Sequence, residues 1–284
     1  MILKYRVADH IFAVCGNELC ERLSMIGGFA PFLVSEDFPD EFSFHFASDF
    51  PVGGNLQYKF DYEDVVGEFG TAGDGFFLKL KPQQEDPLHL WCNWGDTRVY
   101  MYGNFSVRLF RFALWIGYGL MTCNKGTVAI HSSCIAANGS AVIFLGESGT
   151  GKSTHTRLWR ENIPGAFLLN DDSPIVRVFE DGTVWVYGSP WSGKTPCYRQ
   201  ERYPLAACVR LSQAPYNKIQ KLHVIKGYAA LHPSCPPEFA YDERIYSHIS
   251  ATLGLLLKVV PCWHLECLPD ADAALLSHNS IFER

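Results

Sequence analysis

No run of apolar residues in this 284-residue chain is long enough to cross a bilayer as a helix. The most apolar stretch, "FALWIGYGLM" from Phe112 to Met121, follows Arg111 and falls well short of the roughly eighteen residues a spanning helix needs, so it predicts a buried core helix. The first residues, "MILKYRVADHIFAVCG", carry Lys4, Arg6 and Asp9 inside the apolar region that a secretory signal would need, and a cytoplasmic address is expected. A surplus of cations is also missing. Against 30 acidic residues there are 24 Lys and Arg, a net charge of -6, which excludes the counterion-displacing surface of a non-specific nucleic-acid binder. Low-complexity and long charged tracts are absent too, and with 48% hydrophobic and 19% charged residues the chain reads as ordered and globular.

The ten cysteines follow no disulfide framework, and without an export signal they are expected to be reduced. Cys262, His264 and Cys267 in "PCWHLEC" have metal-like proximity, but no second pair stands at ligand spacing, and the alternation of that segment predicts a strand.

What the chain does contain falls into two parts. Residues 1–102 are rich in aromatics and short alternating runs such as "LQYKFDYEDVV", "FFLKLK" and "RVYMY", which predict an antiparallel β-rich module without a catalytic signature. Residues 103–284 predict an α/β domain of the mixed, hairpin-rich kind. It begins with a helix over 106–122 and continues with two strand-like runs joined at Asn138-Gly139, the dipeptide that supplies the two positive φ angles of a type I′ turn.

The second of those strands runs into "GESGTGKSTHTRLW". Gly146, Gly151, Lys152 and Ser153 satisfy GxxxxGK[ST], and strand, glycine-rich turn and helix follow in the order that a phosphate-binding P-loop requires. Glycines at 146, 149 and 151 let the backbone approach an anion, so that the N–H groups of Gly146, Glu147, Ser148, Gly149, Thr150, Gly151, Lys152, Ser153 and Thr154 become nucleotide-binding candidates. Lys152 adds a full charge for the β and γ phosphates, and the Ser153 hydroxyl is a ligand for Mg²⁺. Downstream, "LLNDDSP" ends an apolar run in Asp171 and Asp172. One carboxylate suits Mg²⁺ and the other suits a general base toward an attacking hydroxyl, with the assignment between them open; an Asx-type turn would account for the same residues. The glycine- and hydroxyl-containing "GSPWSGK" predicts a second loop facing the nucleotide, with Lys194 as a phosphate contact and Arg199 a weaker one.

In order and spacing, "AIHSSCIAANGSAVIFLGESGTGKST" and the following "NDD" resemble the HPr kinase/phosphorylase family and, more distantly, the ATP-dependent phosphoenolpyruvate carboxykinases. The resemblance spans about residues 105–190 and implies a carboxykinase-like nucleotide-binding core, ATP and Mg²⁺ as cofactors, and His131, fifteen residues before Gly146, beside the catalytic aspartates. Two features depart from it: Thr154 follows Ser153 as in the carboxykinases, and "GSPWSGKTPCYR" replaces the Glu-, Arg- and Gly-rich stretch that HPr kinases place after their aspartates. The expectation is therefore an ATP-dependent kinase acting on a hydroxyl of a protein, peptide or small molecule, not bound to membrane or nucleic acid, with the oligomeric state open to a homo-oligomer. The competing expectation is a catalytically inactive, nucleotide-regulated binding protein; a carboxykinase-type enzyme ranks below both, because its oxaloacetate-binding residues have no counterparts here.

Overall fold

A computed structural model describes residues 1–50, 53–193 and 195–283, and the chain is mixed α/β, with two compact units. The first comprises residues 1–123 and 238–246, the second residues 124–237 and 247–284. Among the described residues no helix is long and apolar enough to cross a membrane.

The first unit contains β1 (Ile2–Val7), β2 (His10–Cys15), α1 (Asn17–Ser24), β3 (Leu33–Val34), β4 (Phe42–Phe46), β5 (Asn55–Tyr62), β6 (Val65–Ala72), β7 (Gly75–Pro82), β8 (Leu88–Asn93), β9 (Arg98–Tyr102) and α2 (Val107–Thr122). The nine strands form one sheet in the order β3-β1-β2-β4-β9-β8-β7-β6-β5. It is not wholly antiparallel as its alternating runs suggested: β4 lies parallel to both β2 and β9. Strand alternation puts Phe42 and Phe44, Leu88 and Leu90, and Val99 and Met101 on one buried face. The apolar run noted above forms α2 on that face, where Gly117 lets Phe44 approach so closely that a Cβ would stand 2.6 Å from its ring. Residues 238–246 join this unit through Phe239, whose ring is 6.1 Å from that of Phe69, and through Arg244, which bonds Asp242 at 3.0 Å and the Asp74 carbonyl at 2.8 Å.

The second unit contains β10 (Thr127–Ala129), β11 (Ser132–Ala137), β12 (Ser140–Leu145), α3 (Lys152–Asn162), β13 (Phe167–Asp172), β14 (Ile175–Val178), β15 (Val184–Tyr187), β16 (Arg202–Gln213), β17 (Lys218–Lys221), α4 (Val224–Leu231), most of α5 (Glu243–Val259), β18 (Cys262–Cys267) and α6 (Ala271–Phe282). Its strands run β10-β14-β15-β16-β12-β11-β13, with β18 also paired to β16 and β17 to β18. The β11–β12 hairpin closes at Ala137↔Ser140 around Asn138 (φ 53°) and Gly139 (φ 74°), the two positive angles that a type I′ turn demands. The twelve-residue β16 organises the rest. Residues 202–204 pair antiparallel with β15, 205–210 parallel with β12, and 208–213 parallel with β18. Because β12, β16 and β18 run the same way, the loops that follow them leave one edge of the sheet together.

Helix α3 packs on this sheet through Leu158 and Trp159, against Phe144, Ile135 and Val209. The Trp159 indole N–H donates to Ser277 Oγ at 2.9 Å, which ties α3 to α6 and removes the cost of burying that N–H. At the start of α6, Asp270 accepts from Ala273 N at 2.9 Å, an N-cap consistent with its acidic opening.

Candidate functional site

Residues 146–151 form the connection between β12 and α3, and the positions of their glycines have physical causes. A Cβ at Gly146 would stand 2.3 Å from Thr150 Oγ1, and Gly149 and Gly151 adopt φ of 83° and 100°. The turn is held by Thr150, whose N–H and hydroxyl both donate to the Glu147 carbonyl, at 3.2 and 2.8 Å. Gly151 is the N-cap of α3, and no side chain caps that end. The helix therefore begins with backbone donors and the positive end of its dipole facing the loop. Lys152 folds back over it, donating to the Gly146 carbonyl at 2.7 Å and the Glu147 carbonyl at 3.2 Å. Burial lowers the Lys152 pKa, and the charges of Asp172 and Asp171 work against that shift.

Strand β13 delivers the acidic pair to the same place. Its residues Asp171 and Asp172 pair with Ser133 and Ser132 of β11, the neighbour of β12. Ser153 Oγ, in the first turn of α3, donates to Asp171 Oδ1 at 3.0 Å and Oδ2 at 3.2 Å, and Asp171 is only 6% exposed. Asp172 faces the other way and meets His131 Nδ1 at 3.1 Å, a pair open to solvent on both sides. His131 occupies the short break between β10 and β11 and is held there by its N–H, which donates to the Ser234 carbonyl at 2.6 Å. Asp172 also has φ of 140°, a conformation that L residues rarely adopt. Lys152 and Ser153 of α3, Asp171 and Asp172 of β13, and His131 from the break between β10 and β11 thus converge, although the first and last of them stand 41 positions apart in sequence.

The second loop is placed by side chains that tie it to β13. Asn170 donates to the Ser189 and Trp191 carbonyls at 3.3 and 3.2 Å, Gly193 N–H donates to the Asp171 carbonyl at 2.5 Å, and Ser192 bridges to Asp172. Asn170 Oδ1 accepts from Ser173 N at 2.9 Å, so the Asx interaction expected for "NDDSP" belongs to Asn170 and leaves both aspartate side chains available. Lys194 lies outside the described residues. Arg199 does not join the aspartates: it stacks 5.0 Å over Phe167, at the opposite end of β13, and pairs with Glu201 at 3.2 Å.

Several residues near this centre carry no local sequence signal. Arg210 is Leu145's partner across β12 and β16 and reaches Glu147 at 3.6 Å; Ser133 and Thr156 join hydroxyls at 3.0 Å beneath Ser153; Gln213 donates to the Gly149 carbonyl at 3.2 Å. They arrive through strand pairing and helix packing. His264, from the Cys/His segment, lies 2.8 Å from Ser212 Oγ, and among the described residues no group of three or more His, Cys, Asp or Glu could hold a metal ion by itself.

The donor set at Ser153 and Asp171 is all oxygen, with one buried carboxylate and one hydroxyl. That is compatible with Mg²⁺, which takes one or two protein carboxylates and completes its shell with water and phosphate oxygens. Compared with protein-family models and with curated proteins, the chain matches none of them.

Proposed function

We propose that the second unit is an ATP-dependent kinase of the HPr-kinase-like type, with residues 146–154 as its P-loop and a hydroxyl of a protein, peptide or small molecule as acceptor. The observation that carries this reading is the convergence of Ser153 on Asp171 at 3.0 Å beside a lysine folded over a glycine-rich turn. A glycine-rich turn alone would need no buried carboxylate, and a structural aspartate would need no desolvated lysine.

In this reading the backbone donors of 146–154 and Lys152 hold the β and γ phosphates of ATP, and Ser153 and Asp171 hold Mg²⁺, which when bound neutralises charge on the transferring phosphoryl group. Asp172 takes the proton from the acceptor hydroxyl, because its carboxylate is the more accessible of the two and its other neighbour is a titratable group, His131. His131 is a positioning residue: it holds Asp172 Oδ1 at 3.1 Å. Gly193 and Ser192 fix the Asp171–Asp172 backbone, so the two carboxylates keep their opposite directions.

The test is incubation of the protein with Mg·ATP and a panel of hydroxyl acceptors, alongside Asp171→Asn and Asp172→Asn. Phosphoryl transfer by the parent, lost in both variants, supports the kinase. No transfer and no ATP consumption, with all three proteins binding ATP alike, would replace it with the nucleotide-regulated binding protein.

A further inference from the structure

The nine-stranded sheet of the first unit has a second face, opposite the one on which α2 packs. Cross-strand register lines up two rows of side chains on it. The first runs His45, Tyr100, Trp91 and Phe77 across β4, β9, β8 and β7. The second runs Tyr102, His89, Lys79, Glu68 and Lys59 from β9 to β5. Gly70 ends the first row, where a Cβ would stand 2.9 Å from the Phe77 ring. Phe77 is buried, but His45, Tyr100, Trp91, His89 and Lys79 are half-buried, and Tyr102 and Lys59 are exposed.

We propose that this face binds a carboxylate-rich peptide segment of a partner protein, a reading independent of the kinase reading of the second unit. Charge points to it first. At the outward positions of β4–β9 stand Lys59, Lys79, Lys81 and Arg98 against the carboxylates of Asp61 and Glu68, in a chain whose net charge is -6. Lys81 pairs with Glu68 at 2.8 Å. Lys79 instead rests 5.0 Å over the Phe50 ring and 5.3 Å over that of Phe77, a cation held by aromatic faces, and Arg98 is exposed. The positive field reaches the imidazoles of the face: after burial, the Lys79 and Lys81 charges lower the pKa of His89, and the Arg98 charge lowers that of His45.

Ring geometry narrows the partner. Tyr100 and Trp91 stack 5.3 Å apart and 20° from parallel, and the His45 ring lies 5.9 Å from that of Tyr100. Rings stacked along the row turn their faces to one another and their edges outward. Aromatic edges are electropositive, so the outward surface favours carboxylates and backbone carbonyls. A nucleobase needs instead an aromatic face lying open for it to stack on. Trp, Tyr and Arg are also the residue types that carry most binding energy in protein interfaces, and Trp91, Tyr100, Tyr102 and Arg98 lie together on the neighbouring strands β8 and β9.

Fluorescence anisotropy of a fluorescein-labelled random copolymer of glutamate and tyrosine tests the proposal, beside a copolymer of lysine and tyrosine and an oligouridylate of similar length. The proteins are the parent, Arg98→Glu, Trp91→Ala and, as a control in the second unit, Lys152→Ala; the exposed Tyr102→Ala stands in should Trp91→Ala not fold. The parent is expected to bind the acidic copolymer about tenfold or more tightly than either other polymer, with an affinity that falls as salt rises. Arg98→Glu and Trp91→Ala are each expected to weaken that binding about tenfold, and Lys152→Ala to leave it unchanged. No binding of the acidic copolymer, or equal or tighter binding of the lysine copolymer or the oligouridylate, overturns the proposal. So does an affinity unmoved in Arg98→Glu and Trp91→Ala, or one lost in Lys152→Ala, which would put the polyanion on residues 146–154. The kinase reading stands or falls separately, on ATP binding by the same proteins.

Discussion

Ser153 donates to Asp171 at 3.0 Å, joining the first turn of α3 to the last residues of β13 across eighteen positions of sequence. In the proposed kinase these two groups act as one unit, so their removal is not additive. Ser153→Ala and Asp171→Asn are each expected to lower phosphoryl transfer by about a hundredfold or more, and the double variant to be no worse than the poorer single one. Turnover rates of the three variants check this, and two independent losses that multiply would separate the roles of the pair.

Asp172 carries φ of 140°, and a non-glycine residue held there stores on the order of 1–3 kcal/mol of strain. Glycine at this position releases the strain, gives back up to about 1 kcal/mol to the freer unfolded chain, and forfeits a solvent-exposed contact with His131 worth under about 1 kcal/mol. Asp172→Gly is therefore expected to match or slightly exceed the parent in urea-unfolding stability while losing phosphoryl transfer. A large loss of stability would show that the conformation is not strained.

His155 is buried between α3 and α6, and desolvation lowers its pKa from 6.5 to about 4. A folded pKa below the unfolded one means that the unfolded chain takes up the proton first, so the contribution is whole above pH 6.5 and is lost as pH falls toward 4. The expected loss is on the order of 3 kcal/mol. Urea midpoints measured from pH 7 to 4 for the parent and His155→Gln should diverge in that window, the variant showing the shallower fall.

Glu238 has the opposite sign. It is 3% exposed, its Oε2 has no hydrogen-bond partner in the described structure, and burial raises its pKa from 4.5 to about 7. The folded state holds the proton more tightly, so this group's contribution is whole below pH 4.5 and is lost as pH rises through 7. Glu238→Gln should remove that dependence and be the more stable protein at pH 8, by on the order of 1–3 kcal/mol. A variant that unfolds at a lower urea concentration than the parent at pH 8 contradicts this.

The sequence made local features readable because local chemistry decides them. Asn138-Gly139 supplies its own positive φ angles, and the glycines of 146–151 are required by a turn contained within six residues. Strand alternation identified the β-rich character of the first unit but not the parallel placement of β4, which depends on partners distant in sequence. The same limit applies at the site. Asp171 and Asp172 could be singled out as adjacent acids, whereas their opposite directions follow from pairing with β11 and from the clamp of Asn170, Ser192 and Gly193. Gln213, which reaches the Gly149 carbonyl, has no sequence signature, since only the parallel pairing of β16 with β12 brings it there.

Equilibrium binding of Mg·ATP to the parent and to Lys152→Ala tests the central claim most directly, because every proposed role depends on phosphates lying against residues 146–153. Saturable one-site binding to the parent, weakened at least tenfold in a variant whose unfolding curve is unchanged, is the predicted result; equal affinity for both proteins, or no binding to either, would contradict the account.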